Sequence, residues 1–229
     1  MIEAMCSVFE ESNSRTRLME LGLTLEMLGE VVREGYAYRQ EATANHPPTH
    51  GGTNAYGNMV RALRDALMPL GWKRSNEHNF CVTFHPKTNV AVVVSAGNEI
   101  TGLAHESANT RRGKGRRTVL AIEENLRQLD LFSALGVELR GNLQPQSDTA
   151  YLPSSAYRKT YYLLNFVDQI REELRSELSL PIAVDEQGKI TRWAERIILP
   201  VVDLNDDFAI SNLPAPSAPE PEVRIKRRG

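Results

Sequence analysis

Phe80-Cys81-Val82-Thr83-Phe84-His85-Pro86-Lys87-Thr88-Asn89-Val90-Ala91-Val92-Val93-Val94 is the stretch that decides the fold of this chain. β-Branched and aromatic residues dominate 80–84, which suits a pleated strand. Pro86-Lys87-Thr88-Asn89 has turn chemistry. Val90-Ala91-Val92-Val93-Val94 is apolar at every position, so the spacing predicts a strand buried on both faces. The two segments read as a β-hairpin.

The flanks of this hairpin are helical in pattern. Upstream, Leu25, Leu28, Val32 and Tyr36 recur at helical spacing behind Thr24, a good N-cap residue, and predict a helix over 25–44. Asn45-His46-Pro47-Pro48-Thr49-His50-Gly51-Gly52 breaks it. Tyr56, Val60, Leu63, Leu67 and Leu70 form the stripe of a second helix over 55–69, which Gly71 stops before Trp72 folds the chain back. Residues 1–20 are polar and read as a flexible N-terminus. Downstream, a loop over 97–117 leads to a third stripe, Val119, Ile122, Leu126 and Leu129, on a helix starting near Arg117 or Thr118.

Beyond Gly136 the period changes. Residues 161–167 make a strand candidate, with a helix as the alternative reading, and as a strand could pair with the 80–94 hairpin. Leu174, Leu178, Leu180, Ile182 and Val184 share one parity, and Arg175, Glu177 and Ser179 hold the other. That alternation predicts a strand exposed on one face. Asp185-Glu186-Gln187-Gly188-Lys189 is a hairpin turn, and a return strand covers 197–202. The predicted class is α+β, with helices packed on a small antiparallel sheet followed by a β-meander. The predicted organisation is a flexible N-terminus (1–20), an α+β region with the hairpin and a basic loop (21–135), a linker (136–153), the meander (154–205) and a Pro-rich basic tail (206–229).

With 229 residues, 41% hydrophobic and 24% charged, the composition is that of a globular chain able to bury a core. Aromatic residues, at 7%, are too sparse to suggest base-stacking platforms. A net charge of −2 and a pI near 6.2 argue against a dedicated, strongly basic nucleic-acid binder. The charge is unevenly spread, however. Residues 1–34 hold seven acids and three arginines, while 111–117 and 224–228 are basic. Two cysteines, Cys6 and Cys81, make no disulfide framework, and no apolar leader precedes them. No apolar run approaches the ~18 residues of a membrane span. The expectation is a cytoplasmic protein with reduced thiols and no membrane partner.

The strongest site signal is Arg111-Arg112-Gly113-Lys114-Gly115-Arg116-Arg117, five cations in seven residues just before an apolar helix. A cationic, glycine-loosened loop at a helix N-terminus is suited to receive an anion. Here the arginines and Lys114 would neutralise nucleic-acid phosphates while Gly113 and Gly115 let the backbone approach. The bland alternative is a solvated loop resting on the acidic N-terminal helix. The Walker pattern is absent, because Gly115 and not a hydroxyl residue follows Lys114.

A second signal is Gly97-Asn98-Glu99-Ile100-Thr101-Gly102 at the end of the buried strand, where ligands often sit and glycine permits close approach. Glu99 and Thr101 would orient a ligand or a metal-bound water; the bland alternative is a turn needing positive φ at Gly97 or Gly102.

Neither a metal nor a cofactor is expected. Pro47 and Pro48 forbid the helix that would align His46 with His50, and C-x-x-C and H-E-x-x-H are absent. The carboxylate pairs Glu123-Glu124, Asp185-Glu186 and Asp206-Asp207 lack the apolar surround that tunes an acid–base pair. The leading expectation is a non-enzymatic protein that engages nucleic acid or a nucleic-acid-associated protein through 111–117. The alternatives are an accessory factor using an exposed meander face or the tail, and a metal-dependent phosphodiesterase using Glu99.

Two blocks carry a resemblance. One is Arg61-Ala62-Leu63-Arg64, Leu70-Gly71-Trp72, Asn79-Phe80, 97–102, Gly113-Lys114-Gly115 and Asn125. The other is Glu177-Leu178-Ser179-Leu180-Pro181 with Ile190-Thr191-Arg192-Trp193-Ala194-Glu195-Arg196-Ile197. Together they resemble a bacterial protein family of unassigned activity found with phage- and plasmid-derived regions. The resemblance covers most of 20–205 and implies a bacterial cytosolic setting with a mobile-element role. It implies no catalytic or binding residue.

Overall fold

The computed structural model describes residues 6–134 and 158–204. The predicted linker (136–153) and the tail (206–229) therefore lie outside the described residues. The all-apolar segment becomes β4 (Val90–Ala96), paired with β3 (Val82–Phe84), which pairs in turn with β2 (Lys73–Ser75). On its other side β4 meets β5 (Lys159–Asp168) in parallel, with Val92 opposite Tyr161 and Ala96 opposite Asn165. Parallel neighbours need a crossover, and helix α4 (Arg116–Ala134) lies between them in the chain. β6 (Glu173–Val184) and β7 (Ile190–Ile198) continue the sheet antiparallel; the return strand begins at Ile190, directly after the turn, and not at the expected 197–202.

Of the residues read as a flexible end, those from Ser7 to Glu20 form a strand and a helix. β1 (Ser7–Phe9) adds in parallel to β7, and α1 (Glu11–Glu20) follows it. Ser14, on α1, donates to the Phe9 and Ile198 carbonyls at 2.9 Å each, and Leu18 is fully buried. The helix leaves little periodic signal in the sequence because so little of it is apolar.

The strand order is β1-β7-β6-β5-β4-β3-β2, with β8 (Val202–Asp203) on β6. The α+β class stands. The sheet corrects the expectation in being mixed and not purely antiparallel; among the described residues it has eight strands, and, as the placement of 161–167 allowed, both halves of the chain share it. Two layers bury it. Helices α1, α2 (Leu25–Gln40) and α3 (His50–Leu67) cover one face, placing Leu28, Val32, Leu63 and Leu67 over Val90, Val92, Val94, Leu163 and Leu178. Each such aliphatic side chain contributes about 1.5–3 kcal/mol on burial. Over the other face α4 brings Ile122 to Ala91, Val93, Tyr162 and Leu164.

Local chemistry sets the ends. Thr24 caps α2, its hydroxyl accepting from the Met27 N–H at 3.1 Å. The helix ends at Gln40, short of the predicted 44, and α3 opens at His50 directly after the prolines. Gly71 takes the left-handed conformation (φ 89°) that stops the following turn, and Trp72 is buried.

β6 departs furthest from its reading. Alternation directs Arg175, Glu177 and Ser179 to solvent, yet they are 2%, 0% and 0% exposed. The loop 97–115 crosses that face, with Gly102 packed against Arg175 and bonded to Glu177, which in turn accepts from Ser179. Beyond Ser179 the β6–β7 ladder shifts register, from Leu180 opposite Glu195 to Pro181 opposite Trp193. On the other side of β6, Asn125 of α4 bridges it to β5 just past the last pair of their ladder, Tyr162 opposite Ser179. Its amide donates to the Thr160 and Pro181 carbonyls at 3.0 Å each, and its oxygen accepts from the Thr160 N–H at 2.9 Å.

Candidate ligand groove

The loop leaves β4 at Gly97, whose N–H donates to the Asn165 carbonyl at 2.9 Å. It turns through 98–103 and returns so that the Arg111 N–H donates to the Ala96 carbonyl at 3.1 Å. Asn98 closes the turn, its side-chain oxygen accepting from the Asn109 N–H at 2.9 Å. Gly97 is required by contact and not by φ, since a Cβ there would collide with the Thr101 hydroxyl. Thr101 is fully buried, and its hydroxyl has no hydrogen-bond partner among the described residues. Gly102 needs its positive φ of 78° and donates its N–H to Glu177 Oε2 at 2.9 Å.

Glu177 is the floor anchor of this loop. It pairs with Arg196 and accepts from the Ser179 hydroxyl at 2.8 Å. Arg196 donates in turn to the Leu103 carbonyl at 3.0 Å and to the Glu106 carbonyl. The ion pair thus serves the loop's backbone, replacing the apolar contacts that the loop composition lacks.

The basic run is divided by the fold. Gly113 lies against the β6–β7 turn, where a Cβ would collide with the Gln187 carbonyl oxygen, and the Lys114 N–H donates to the Gly188 carbonyl at 2.8 Å. Gly113 thus lets the backbone approach a turn of its own chain. Lys114 is turned inward, donating from Nζ to Ser95 Oγ at 2.6 Å, and burial pulls its pKa below lysine's ordinary value. Arg117 reaches Glu77 at 3.8 Å, an exposed pair of small energetic weight. Arg111, Arg112 and Arg116 are exposed. Among the described residues none of these three has a carboxylate within ion-pair distance. Gly115 has open space around its Cα, and its carbonyl accepts from the Thr118 N–H at 3.0 Å to open α4.

Beyond the adjacent C-terminal ends of the parallel strands β4 and β5 lies a groove of about 680 Å³. Openings at such strand ends are the usual ligand sites of α/β sheets. Gly97, Asn98 and Glu99 line one wall with Asn109 and Arg111; Phe166, Val167 and Asp168 line another. Arg39 from the end of α2 and Lys189 from the β6–β7 turn complete it. Of the sequence-derived ligand loop, Gly97, Asn98 and Glu99 reach the groove, while Thr101 and Gly102 support it from behind. Of the basic run, Arg111 reaches it.

Arg39, Asp168 and Lys189 carry no signal in the sequence, because three separate elements deliver them. The Asp168 carboxylate accepts from the Ile170 and Arg171 N–H groups at 3.1 Å each and from Arg175 Nη2 at 3.0 Å. The Arg171 amide first, then the Ile170 amide and the Arg175 charge, hold its pKa below the usual aspartate value against some desolvation. Arg175 lies 5.3 Å from the Phe166 ring centroid. It is 2% exposed; its Nε forms an ion pair with Glu173 at 3.7 Å, beyond hydrogen-bond distance, and its Nη1 has no hydrogen-bond acceptor among the described residues.

Among the described residues, no three His, Cys, Asp or Glu side chains come together as a metal site, and no helix is long and apolar enough to cross a membrane. The fold and groove define an α+β protein with a cationic loop beside a polar opening at parallel strand ends. No family model, curated protein or solved structure matches the chain.

Proposed function

We propose that this is a non-enzymatic binding protein that receives the phosphates of a nucleic acid on the rim formed by Arg111, Arg112 and Arg116. The observation that carries the reading is the exposure of these three guanidiniums without a carboxylate partner among the described residues, in a chain of net charge −2. Unpaired cations clustered on one loop favour phosphate contacts and fast, salt-sensitive association. The first turn of α4 supports it. Arg116 and Arg117 occupy the positive end of that helix dipole, with no acid in the turn, so a bound anion offsets the local repulsion. Lys114, held on Ser95, takes no part in this rim.

The test is fluorescence anisotropy of labelled oligonucleotides titrated with the full chain. Replacing Arg111, Arg112 and Arg116 with Ala weakens binding by a similar factor for unrelated sequences, because phosphate contacts carry no sequence information. Unchanged affinity in that variant contradicts the reading.

A further inference from the structure

We infer that the groove beyond β4 and β5 is a nucleotide site, taking one ribonucleoside phosphate with its phosphate on Arg39, Arg111 and Lys189 and its ribose hydroxyls on Glu99. The inference rests on the reading that this cationic face receives phosphates. It draws on Arg39 and Lys189, which the rim does not use.

The lining narrows the ligand class. Three cations face two carboxylates. Asp168 is already engaged by two backbone N–H groups and by Arg175. Glu99 is exposed and is left as the groove's available carboxylate acceptor. The site therefore suits a molecule anionic at one end and rich in hydroxyl donors at the other. A bare inorganic anion would leave Glu99 unused and repelled. A plain stretch of phosphodiester backbone would meet the same repulsion.

Phe166 lines the groove and is half-buried, giving a planar base an apolar surface; Asn109 and Gln169 bring amide groups able to read a base edge. About 680 Å³ falls within the range of small-ligand sites.

A second observation points the same way. Arg175, immediately behind Asp168 and Phe166, is 2% exposed with two nitrogens lacking acceptors among the described residues. Its charge is balanced by Asp168 and by Glu173, whose carboxylate lies 3.7 Å from Nε, so it acts here through position. It ties the wall down through Asp168, so the site is preformed.

Isothermal titration calorimetry on the full chain tests this with adenosine, guanosine, cytidine and uridine 5′-monophosphates. Adenosine, ribose 5-phosphate and inorganic phosphate are the comparison probes. Oligonucleotides with and without a 5′-phosphate separate a free nucleotide from the terminal nucleotide of a strand. At least one monophosphate binds more tightly than all three comparison probes. Lys189→Gln weakens it by about tenfold or more, the value of one hydrogen bond to a charged group, and Arg39→Glu, which reverses a charge, weakens it further.

Glu99→Gln weakens the ribonucleotide more than its 2′-deoxy analogue. Thermal melting confirms that the variants fold, and ¹H–¹⁵N shift changes at Gly97, Asn98 and Asp168 locate the ligand even if one variant does not. Overturning results are the absence of monophosphate binding, binding no tighter than that of phosphate or ribose 5-phosphate, or binding indifferent to Arg39→Glu and Lys189→Gln. If oligonucleotides bind through Arg112 and Arg116 while monophosphates do not, the rim reading survives and the groove inference falls. The reverse pattern sinks the rim and keeps the groove.

Discussion

Arg196 holds Glu177 through two hydrogen bonds, Nε to Oε1 at 3.0 Å and Nη2 to Oε2 at 2.5 Å, with both side chains buried between the sheet and the 97–115 loop. The same two residues take up the Gly102 N–H and the Leu103 and Glu106 carbonyls. Together they fix the wall on which Glu99 stands. Removing one partner strands a buried charge, so Arg196→Met costs about 3–5 kcal/mol in urea unfolding. The double variant Glu177→Met/Arg196→Met costs less than the sum of the two single changes. Hydrogen exchange in residues 102–106 quickens in all three. Additive losses with unchanged exchange would contradict the pairing.

Gly113 and Gly115 are two residues apart and differ in their surroundings. A Cβ at Gly113 strikes the Gln187 carbonyl oxygen, and one at Gly115 meets open space. Gly113→Ala lowers stability by about 1–3 kcal/mol, the cost of overpacking a tight contact. Gly115→Ala is neutral or stabilising by less than about 1 kcal/mol. Thermal melts of both variants decide this, and equal losses would refute it.

Asp168 links the groove to acid stability. Its carboxyl is held below the ordinary aspartate value by the Arg171 and Ile170 amides and by Arg175. A depressed folded value means that its stabilising contribution is complete above the unfolded pKa of about 3.9 and fades as pH falls through the folded one. Asp168→Asn is therefore less stable than the parent at neutral pH, and the gap closes on acidification below pH ~4. A gap constant from pH 7 to pH 2 would contradict the assignment.

Lys114 shows linkage of the same sign at a higher pH, from a different cause. Burial disfavours its charged form, so its folded pKa lies below the unfolded value of about 10.4. Between those two values the unfolded chain binds more protons, and this residue's contribution to stability rises with pH. In a ¹³C titration the Lys114 Cε resonance shifts at lower pH than that of lysine in a short unstructured peptide. Coincident titrations would show that Lys114 is solvated.

The strand types were legible wherever one residue class dominated. Val90-Ala91-Val92-Val93-Val94 announced burial on both faces, and Leu174, Leu178 and Leu180 marked the core side of β6. The pairing of 161–167 with the hairpin was legible, but the parallel direction of β5 beside β4 was harder to read. The strand, helix, strand order was visible, but a local hairpin and a local meander compete with a parallel crossover in the same letters. Alternation at Arg175, Glu177 and Ser179 recorded polarity and said nothing of what covers it. A loop held by an ion pair leaves no apolar trace.

The site was legible in the same partial way. Gly97, Asn98, Glu99 and Arg111 stood out because they are close in sequence to a strand end. Arg39, Asp168 and Lys189 arrive from α2, β5 and the β6–β7 turn. Lys114 belonged to the basic run by sequence, and only the fold turns it toward Ser95.

The cationic rim is tested most directly by the salt dependence of duplex binding. Plots of log K against log salt for the parent and for the Arg111→Ala/Arg112→Ala/Arg116→Ala variant give the number of phosphates neutralised. Each phosphate left without its arginine lowers the slope by about 0.9, so the triple variant's slope is shallower by about 2–3, while Lys87→Ala at the β3–β4 turn leaves it unchanged. A triple variant with the parent's slope would mean that these arginines face no phosphate.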